Sequence, residues 1–180
     1  MIDQDEQNLL GLVNNPLTAE KGFRLLVVTY RQRLYHLIRR MVISHDDTDE
    51  ILQLTFIKVW KGMPGFKGNS GLYTWIYRIA MNETLNFLKN KKKRAWVDDH
   101  ESIFRKLDNE WAGYSGDELQ RKLLMAMQTL PEKQLAVFNL RYFEEMQYEQ
   151  IAAITGTSIG ALKASYHLAI KKIEEYFLTH

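Results

Sequence analysis

Apolar positions recur at three- and four-residue steps along most of this chain. From Ala19 to Ile43 the set Phe23, Leu26, Val27, Tyr30, Leu34, Leu37, Ile38 and Met41 follows that spacing, with Arg31, Arg33, Arg39 and Arg40 on the other faces. This predicts a long amphipathic helix. A shorter one is expected over Asp5–Val13, broken by Asn14-Asn15-Pro16, with Thr18 as the candidate N-cap of the long helix. After a break at Ser44–Asp47, with Ser44 or Asp46 as the cap, another helix runs no further than Met63, because Pro64-Gly65 stops it. Phe66–Gly71 reads as a pliable loop, and a third helix is expected from about Leu72 to Asn90.

The pattern then fades. Trp96–Gly116 is acidic, has little periodicity beyond a possible turn at Ile103–Leu107, and reads as a linker. Periodicity resumes with Glu118–Gln128 and Glu132–Tyr142, separated by Thr129-Leu130-Pro131. Tyr148–Ile154, Thr155-Gly156-Thr157 and Ser158–Lys172 have the layout of a helix-turn-helix: Gly156 supplies the left-handed turn, Ser158 caps the second helix, and Leu162, Tyr166, Ala169 and Ile173 face inward. Such a second helix fits a DNA major groove. Base readout would come from Ser158, Ile159, Gly160, Ala161, Lys163, Ala164 and His167, with Lys171 and Lys172 on phosphate. A helical hairpin without nucleic acid has the same layout.

Composition narrows the class. With three Pro and ten Gly in 180 residues, and long runs of good helix formers between them, the chain is expected to be all-α. Lys+Arg 24 against Asp+Glu 22 nets only +2, yet the charges are segregated. Basic residues gather at Arg31–Arg40 and Lys89–Arg94, acidic ones at Asp46–Glu50 and Asp98–Glu118, which suits two kinds of partner surface. The absence of Cys excludes disulfides, thiolate metal sites and thiol catalysis. The five His are scattered, and neither a GxxxxGK[ST] run nor a GxSxG elbow is present, so no catalytic, metal or cofactor site is expected. With no signal peptide and no apolar run near membrane length, a cytoplasmic location without membrane insertion is expected.

Several stretches carry a family resemblance. Glu50-Ile51-Leu52-Gln53 followed by Phe56, Val59 and Trp60 is similar to D-x-x-Q-x-x-F-x-x-x-W. Phe66-Lys67-Gly68, then Tyr73-Thr74-Trp75-Ile76-Tyr77-Arg78-Ile79-Ala80 and Asn82, resembles F-x-G…T-W-L-x-R-I-A-x-N. Leu130-Pro131, Arg141-Tyr142, Tyr148-Glu149-Gln150-Ile151-Ala152 and Ser158–Lys163 complete the order. Together they resemble the extracytoplasmic-function sigma factors, the minimal members of the sigma-70 superfamily, which direct bacterial RNA polymerase to promoters. Glu50 stands where Asp is usual, and Ala164-Ser165-Tyr166 replaces a Ser-Arg-Leu run, removing an arginine from the recognition helix.

The resemblance implies two small helical domains. Residues 1–95 would form sigma region 2, residues 96–116 a flexible acidic linker, and residues 117–180 the region 4 helix-turn-helix domain. Asp47, Asp49, Glu50, Gln53 and Phe56 would dock on the clamp helices of the polymerase largest subunit, and the flap of the second subunit is a further partner surface. Lys67, Asn69, Ser70, Tyr73, Trp75, Arg78, Asn82 and Asn86 would hold the −10 element, with Lys89, Lys91, Lys92, Lys93 and Arg94 on upstream phosphates. The −35 element would meet Ser158, Ile159, Gly160, Ala161, Lys163, Ala164, His167 and Lys171. An anti-sigma factor is implied as a partner. From the residues alone, a stand-alone helix-turn-helix regulator and a helical adaptor without nucleic acid stay open.

Overall fold

The computed structural model describes residues 4–68, 70–94 and 118–180, and among these it contains eight α-helices and no strand. The N-terminal half comprises α1 (Gln4–Asn14), α2 (Ala19–Val42), α3 (His45–Gly62) and α4 (Leu72–Arg94). The C-terminal half comprises α5 (Glu118–Gln128), α6 (Glu132–Phe138), α7 (Tyr148–Thr155) and α8 (Ile159–Thr179). The expected linker and the turn at Ile103–Leu107 lie outside the described residues.

Local chemistry accounts for most boundaries. The Ser44 hydroxyl accepts from the Asp47 amide at 3.3 Å and starts α3, while Pro64 and Gly65 close it through a 3₁₀ turn. Thr18 occupies the N-cap position of α2 but makes no capping bond. Its hydroxyl donates instead to the Leu12 carbonyl at 2.8 Å, tying α1 to α2. The helix expected over Glu132–Tyr142 splits: after Phe138 the chain widens into a π-helical turn, Asn139–Phe143, closed by the Glu144 amide on the Asn139 carbonyl. α4 continues one turn beyond Asn90, because the Lys-rich run is itself a good helix former.

In the N-terminal half, Leu26, Leu34, Leu37 and Ile38 of α2 meet Ile51 and Val59 of α3 and Leu72, Ile76 and Met81 of α4, all essentially without exposure. The C-terminal core is built on Met127, Phe138, Leu140, Ile151, Ile154, Leu162 and Ala169. Both sets belong to one continuous hydrophobic cluster. α4 packs on α2 and α3 and also on α6 and α7, so one helix serves both halves.

Polar groups join the halves too. Arg40, expected on a solvent face, is tucked between them, and Arg39 beside it is buried. The Arg40 guanidinium donates through Nη2 to Glu144 Oε1 at 2.5 Å and through Nε to Asn139 Oδ1 at 2.7 Å. It also lies 4.4 Å from the centre of the Phe143 ring. The Tyr77 hydroxyl donates to the other Glu144 oxygen at 2.9 Å. Asn139 Nδ2 donates to the Leu37 carbonyl at 2.8 Å, and Gln128 Nε2 to the Arg40 carbonyl at 3.0 Å.

Two non-glycine residues adopt positive φ. Ile43 (φ 69°) sits in a tight γ-turn closed by the Ser44 amide on the Val42 carbonyl, and Glu145 has φ 53°. Gly156 ends α7 at φ 68°, where nothing obstructs an added Cβ and only the backbone penalty remains. Left-handed backbone costs an L-residue about 1–2 kcal/mol, partly offset by the flexibility a glycine adds to the unfolded chain. Glu145→Gly is therefore expected to raise stability by up to about 1 kcal/mol and Gly156→Ala to lower it by about 1 kcal/mol, read from urea unfolding midpoints. Equal midpoints for all three proteins would contradict the strain assignment.

Candidate nucleic-acid and protein interfaces

α3 presents its acidic start and its aromatic middle to one groove. Asp49, Glu50 and Gln53 are exposed there and Phe56 is half-buried, packed edge-on against Phe23 at 6.4 Å. Phe23 in turn lies 4.8 Å from the Trp60 ring. The groove holds about 560 Å³ and is lined by Asp49, Glu50, Leu52, Gln53 and Phe56 of α3, with Val27 and Arg31 of α2 opposite. Four of the five residues predicted for protein docking thus converge, and α2 adds two that the α3 pattern could not signal. A rim of opposite charges around an apolar floor is the arrangement in which charge steers encounter and the buried aromatic holds it.

Asp47, the fifth, lies elsewhere. Its carboxylate accepts from Lys91 Nζ at 2.6 Å, so a residue predicted for protein docking and one predicted for phosphate are paired with each other. Both are partly exposed, so the pair itself contributes little, about 0–1 kcal/mol. It fixes the end of α4 beside the start of α3.

The second surface begins at the loop 66–71. Phe66 packs against Trp75 at 4.9 Å, Gly68 turns the chain at φ 70°, Lys67 is exposed and Ser70 half-exposed; Asn69 lies outside the described residues. Along α4, Trp75, Arg78, Asn82, Asn86 and Lys89 succeed one another at steps of three and four, which places them on one face. Exposure increases along that stripe, from the half-buried Trp75 and Arg78 to the open Asn82, Asn86 and Lys89. Arg78 Nε is buried with no hydrogen-bond partner among the described residues, a cost that an incoming acceptor would relieve. Lys91 is exposed beside the Phe87 ring, whereas the side chains of Lys92, Lys93 and Arg94 are outside the described set.

Tyr73 belongs to the opposite side of α4. It lies 4.2 Å from the Tyr77 ring and 6.3 Å from Tyr30, in the aromatic wall that meets the C-terminal half. Burial raises the Tyr73 hydroxyl above its ordinary value, and burial with the neighbouring Tyr73 and Glu144 raises Tyr77 further. Sequence reasoning missed Glu6 of α1, whose carboxylate accepts from the Leu72 amide. It satisfies a donor at the start of α4 and places negative charge on the positive helix end. No local pattern links positions 6 and 72.

The third surface is the helix-turn-helix. The Gly156 amide bonds the Ala152 carbonyl at 2.8 Å, and the Ser158 hydroxyl accepts from the Ala161 amide at 3.4 Å, so both predicted turn elements form. Leu162, Ala169 and Ile173 are buried, and Tyr166 stacks on Phe138 at 6.0 Å. Ser158, Gly160, Ala161, Lys163, Ala164, His167 and Lys171 are exposed, and Ile159 is half-buried. Small side chains at Gly160, Ala161 and Ala164 leave the N-terminal half of α8 able to approach a flat or grooved partner closely. Among the described residues no group of His, Asp and Glu could hold a metal ion, and no helix is long and apolar enough to cross a membrane.

Family models place this geometry. Residues 26–94 match sigma-70 region 2 and residues 120–173 match sigma-70 region 4. The chain is 30% identical over 165 residues to the ECF RNA polymerase sigma-E factor of Escherichia coli K12, covering 86% of each chain. The corresponding factor of Haemophilus influenzae is 31% identical over 165 residues, covering 86% of this chain and 87% of that one. This chain belongs to the extracytoplasmic-function sigma factors of the sigma-70 family. Two solved structures share the fold. CnrH in complex with the cytosolic domain of CnrY gives a TM-score of 0.73 at 18% identity, covering 98% and 99% of the two chains. The sigma factor RpoE in complex with the anti-sigma factor NepR from Bartonella quintana gives 0.67 at 22% identity, covering 87% and 97%.

As a sigma factor, the protein binds core RNA polymerase and directs promoter-specific initiation of transcription. The region 2 match begins within α2 and ends with α4, and the region 4 match runs from α5 into α8, so α1 with Glu6 precedes the matched region 2.

The tyrosine wall has a pH consequence. Burial first, then the charge of Glu6 and the neighbouring Tyr73, pushes the Tyr30 hydroxyl up to about 12 from its ordinary 10.0. Below pH 10 the phenol is neutral in folded and unfolded chains alike, and its full stabilisation is present. Between pH 10 and about 12 the unfolded chain ionises first, so stability falls as pH rises. Helical circular dichroism in mild denaturant is expected to drop across that window, with a shallower drop for Tyr30→Phe. An identical drop would contradict the assignment.

Proposed function

We propose that each of the three surfaces has one task in initiation. The groove between α2 and α3 takes the clamp helices of the polymerase largest subunit, with Asp49, Glu50, Gln53 and Phe56 as the contacts and Asp47 setting the acidic field behind them. The loop 66–71 and the stripe Trp75, Arg78, Asn82, Asn86 and Lys89 hold the −10 element as single strand, aided by the basic run Lys91–Arg94. Opening the duplex costs a few kcal/mol, and stacking a base on an aromatic ring recovers about 1–3 kcal/mol. α8 enters the −35 major groove, with Ser158, Gly160, Ala161, Lys163, Ala164 and His167 near base edges and Lys171 on phosphate.

The observation that supports this reading is the separation of the stripe on α4 from the open N-terminal half of α8, each exposed on its own unit. The domain limits follow as 1–95 and 117–180 about an acidic linker, 96–116. The chain contributes binding and positioning, and the bond-making chemistry belongs to the polymerase, which places it in the cytoplasm. The similar structures of CnrH with CnrY and of RpoE with NepR support an anti-sigma factor as partner.

The test is run-off transcription with bacterial core polymerase on a library of promoter fragments. Transcripts are expected only when the protein is added. Gln53→Ala and Phe56→Ala should each lower polymerase affinity by about tenfold, the scale of a central interface residue. Lys163→Ala should leave polymerase affinity intact and weaken −35 binding. Tight duplex binding by the protein alone, with no transcript from any fragment, would overturn the proposal.

A further inference from the structure

Both ends of the loop 66–71 lean on α1. Before it, the 3₁₀ turn Met63–Gly65 packs on α1. After it, the amide of Leu72, the first residue of α4, donates to the Glu6 carboxylate. Gly71 holds the N-cap position, since its carbonyl accepts the first helical bond, from the Trp75 amide at 3.1 Å. A glycine has no side chain with which to cap. The helix start that leads into Trp75 and Arg78 therefore draws on a carboxylate 66 residues away in the chain. The two Glu6 oxygens lie 3.5 and 3.8 Å from where a Gly71 Cβ would stand, so they take the place of the missing cap.

The carboxylate is carried by an anchored helix. Glu6, Leu9, Leu10 and Val13 share one face of α1, and Leu9 and Val13 are buried. Gly22 of α2 lies so close to α1 that an added Cβ would stand 2.7 Å from the Val13 nitrogen. The bond from the Thr18 hydroxyl to the Leu12 carbonyl closes the same junction. α2 thus sets where α1 lies, and α1 sets where Glu6 meets α4.

We propose that Glu6 is a positioning residue for the −10 element: by capping α4 from α1, it holds the loop 66–71 and the first turn of α4 in the form that receives single strand. The inference deepens the −10 role proposed for the loop and the α4 stripe, and rests on it. It gives α1, which precedes the matched region 2, a part in promoter reading. The first four amides of a helix lack partners within it, and removing the acceptor of one lets the first turn fray into the preceding loop. Fraying there moves the backbone that carries Ser70 and Trp75. The groove between α2 and α3 and the open half of α8 are built from other elements.

The test uses holoenzyme assembled from core polymerase and the full chain, titrated with a fluorescent single strand carrying the −10 element of a promoter found by the transcription screen. Glu6→Ala is expected to weaken that binding about tenfold, a loss within reach of one helix cap, because apparent affinity falls with the competent fraction. Polymerase affinity and binding of −35 duplex should not change. Glu6→Gln keeps an oxygen as acceptor and loses the charge, so its affinity should fall between. Gly71→Asp on the Glu6→Ala background supplies a cap from the loop itself and should restore affinity to within about threefold of the unaltered protein.

Unchanged single-strand affinity in Glu6→Ala would overturn the positioning role. Asn82→Ala, on the exposed stripe, separates that failure from failure of the −10 reading. A loss at Asn82 with none at Glu6 removes the positioning alone, and no loss at either removes both. Equal losses for single strand, polymerase and duplex, or no rescue by Gly71→Asp, would make Glu6 a general support of the fold and overturn the proposal.

Discussion

A buried ion pair between residues 104 apart sets how the two halves of this sigma factor meet. Arg40 and Glu144 retain only 15% and 10% side-chain exposure. Two charges taken that far from water lose several kcal/mol of hydration, and their attraction offsets this only when the remaining donors and acceptors are also satisfied. Here they are: Asn139 takes Nε, Tyr77 takes the second carboxylate oxygen, and Phe143 covers the guanidinium face. The pair therefore selects one orientation out of many apolar contacts of similar strength. α4 is the element it acts through, since the helix packs on α2 and α3 on one side and on α6 and α7 on the other.

The same placement explains why a chain with a net charge of only +2 can serve unlike partners. Charges of one sign are not spread but assigned. The acidic rim of α3 faces the groove completed by Val27 and Arg31, the stripe of α4 ends in lysines, and α8 carries Lys163 and Lys171 in the open. Where opposite runs meet, as at Asp47 and Lys91, they hold elements in register. The groove is thus built from two helices, and packing between α2 and α3 sets its shape.

Much of this was legible in the chain. Pro64-Gly65, Gly156, Ser44 and Ser158 mark helix ends through local backbone chemistry, and the structure keeps each of them. The inward faces followed from periodicity, because a helix that buries one side repeats apolar residues at 3.6. The misses share one cause. Arg40 reads as solvent-facing charge, Glu144 carries no local signal, and the helix over Glu132–Tyr142 looks continuous; all three depend on contacts made about a hundred residues away. Asn139 opens the π-turn in a segment where its side chain is committed to α2, and propensity carries no trace of that. Thr18 is a good capping residue whose hydroxyl is used by a neighbouring carbonyl instead. For the surfaces, the sequence indicated Gln53 and Phe56 but not their counterparts Val27 and Arg31, and it placed Tyr73 with the DNA stripe although it stands on the other side of α4.

The most direct measurement is a double-mutant cycle at the central pair: Arg40→Met, Glu144→Gln and the combination, each unfolded in urea. A buried, formed pair predicts single losses of about 3–5 kcal/mol and a coupling of about 2 kcal/mol or more, because the second substitution removes a charge that the first left stranded. Losses that simply add, to within about 0.5 kcal/mol, would mean that Arg40 and Glu144 do not meet in the free protein and that the two halves are not joined as described.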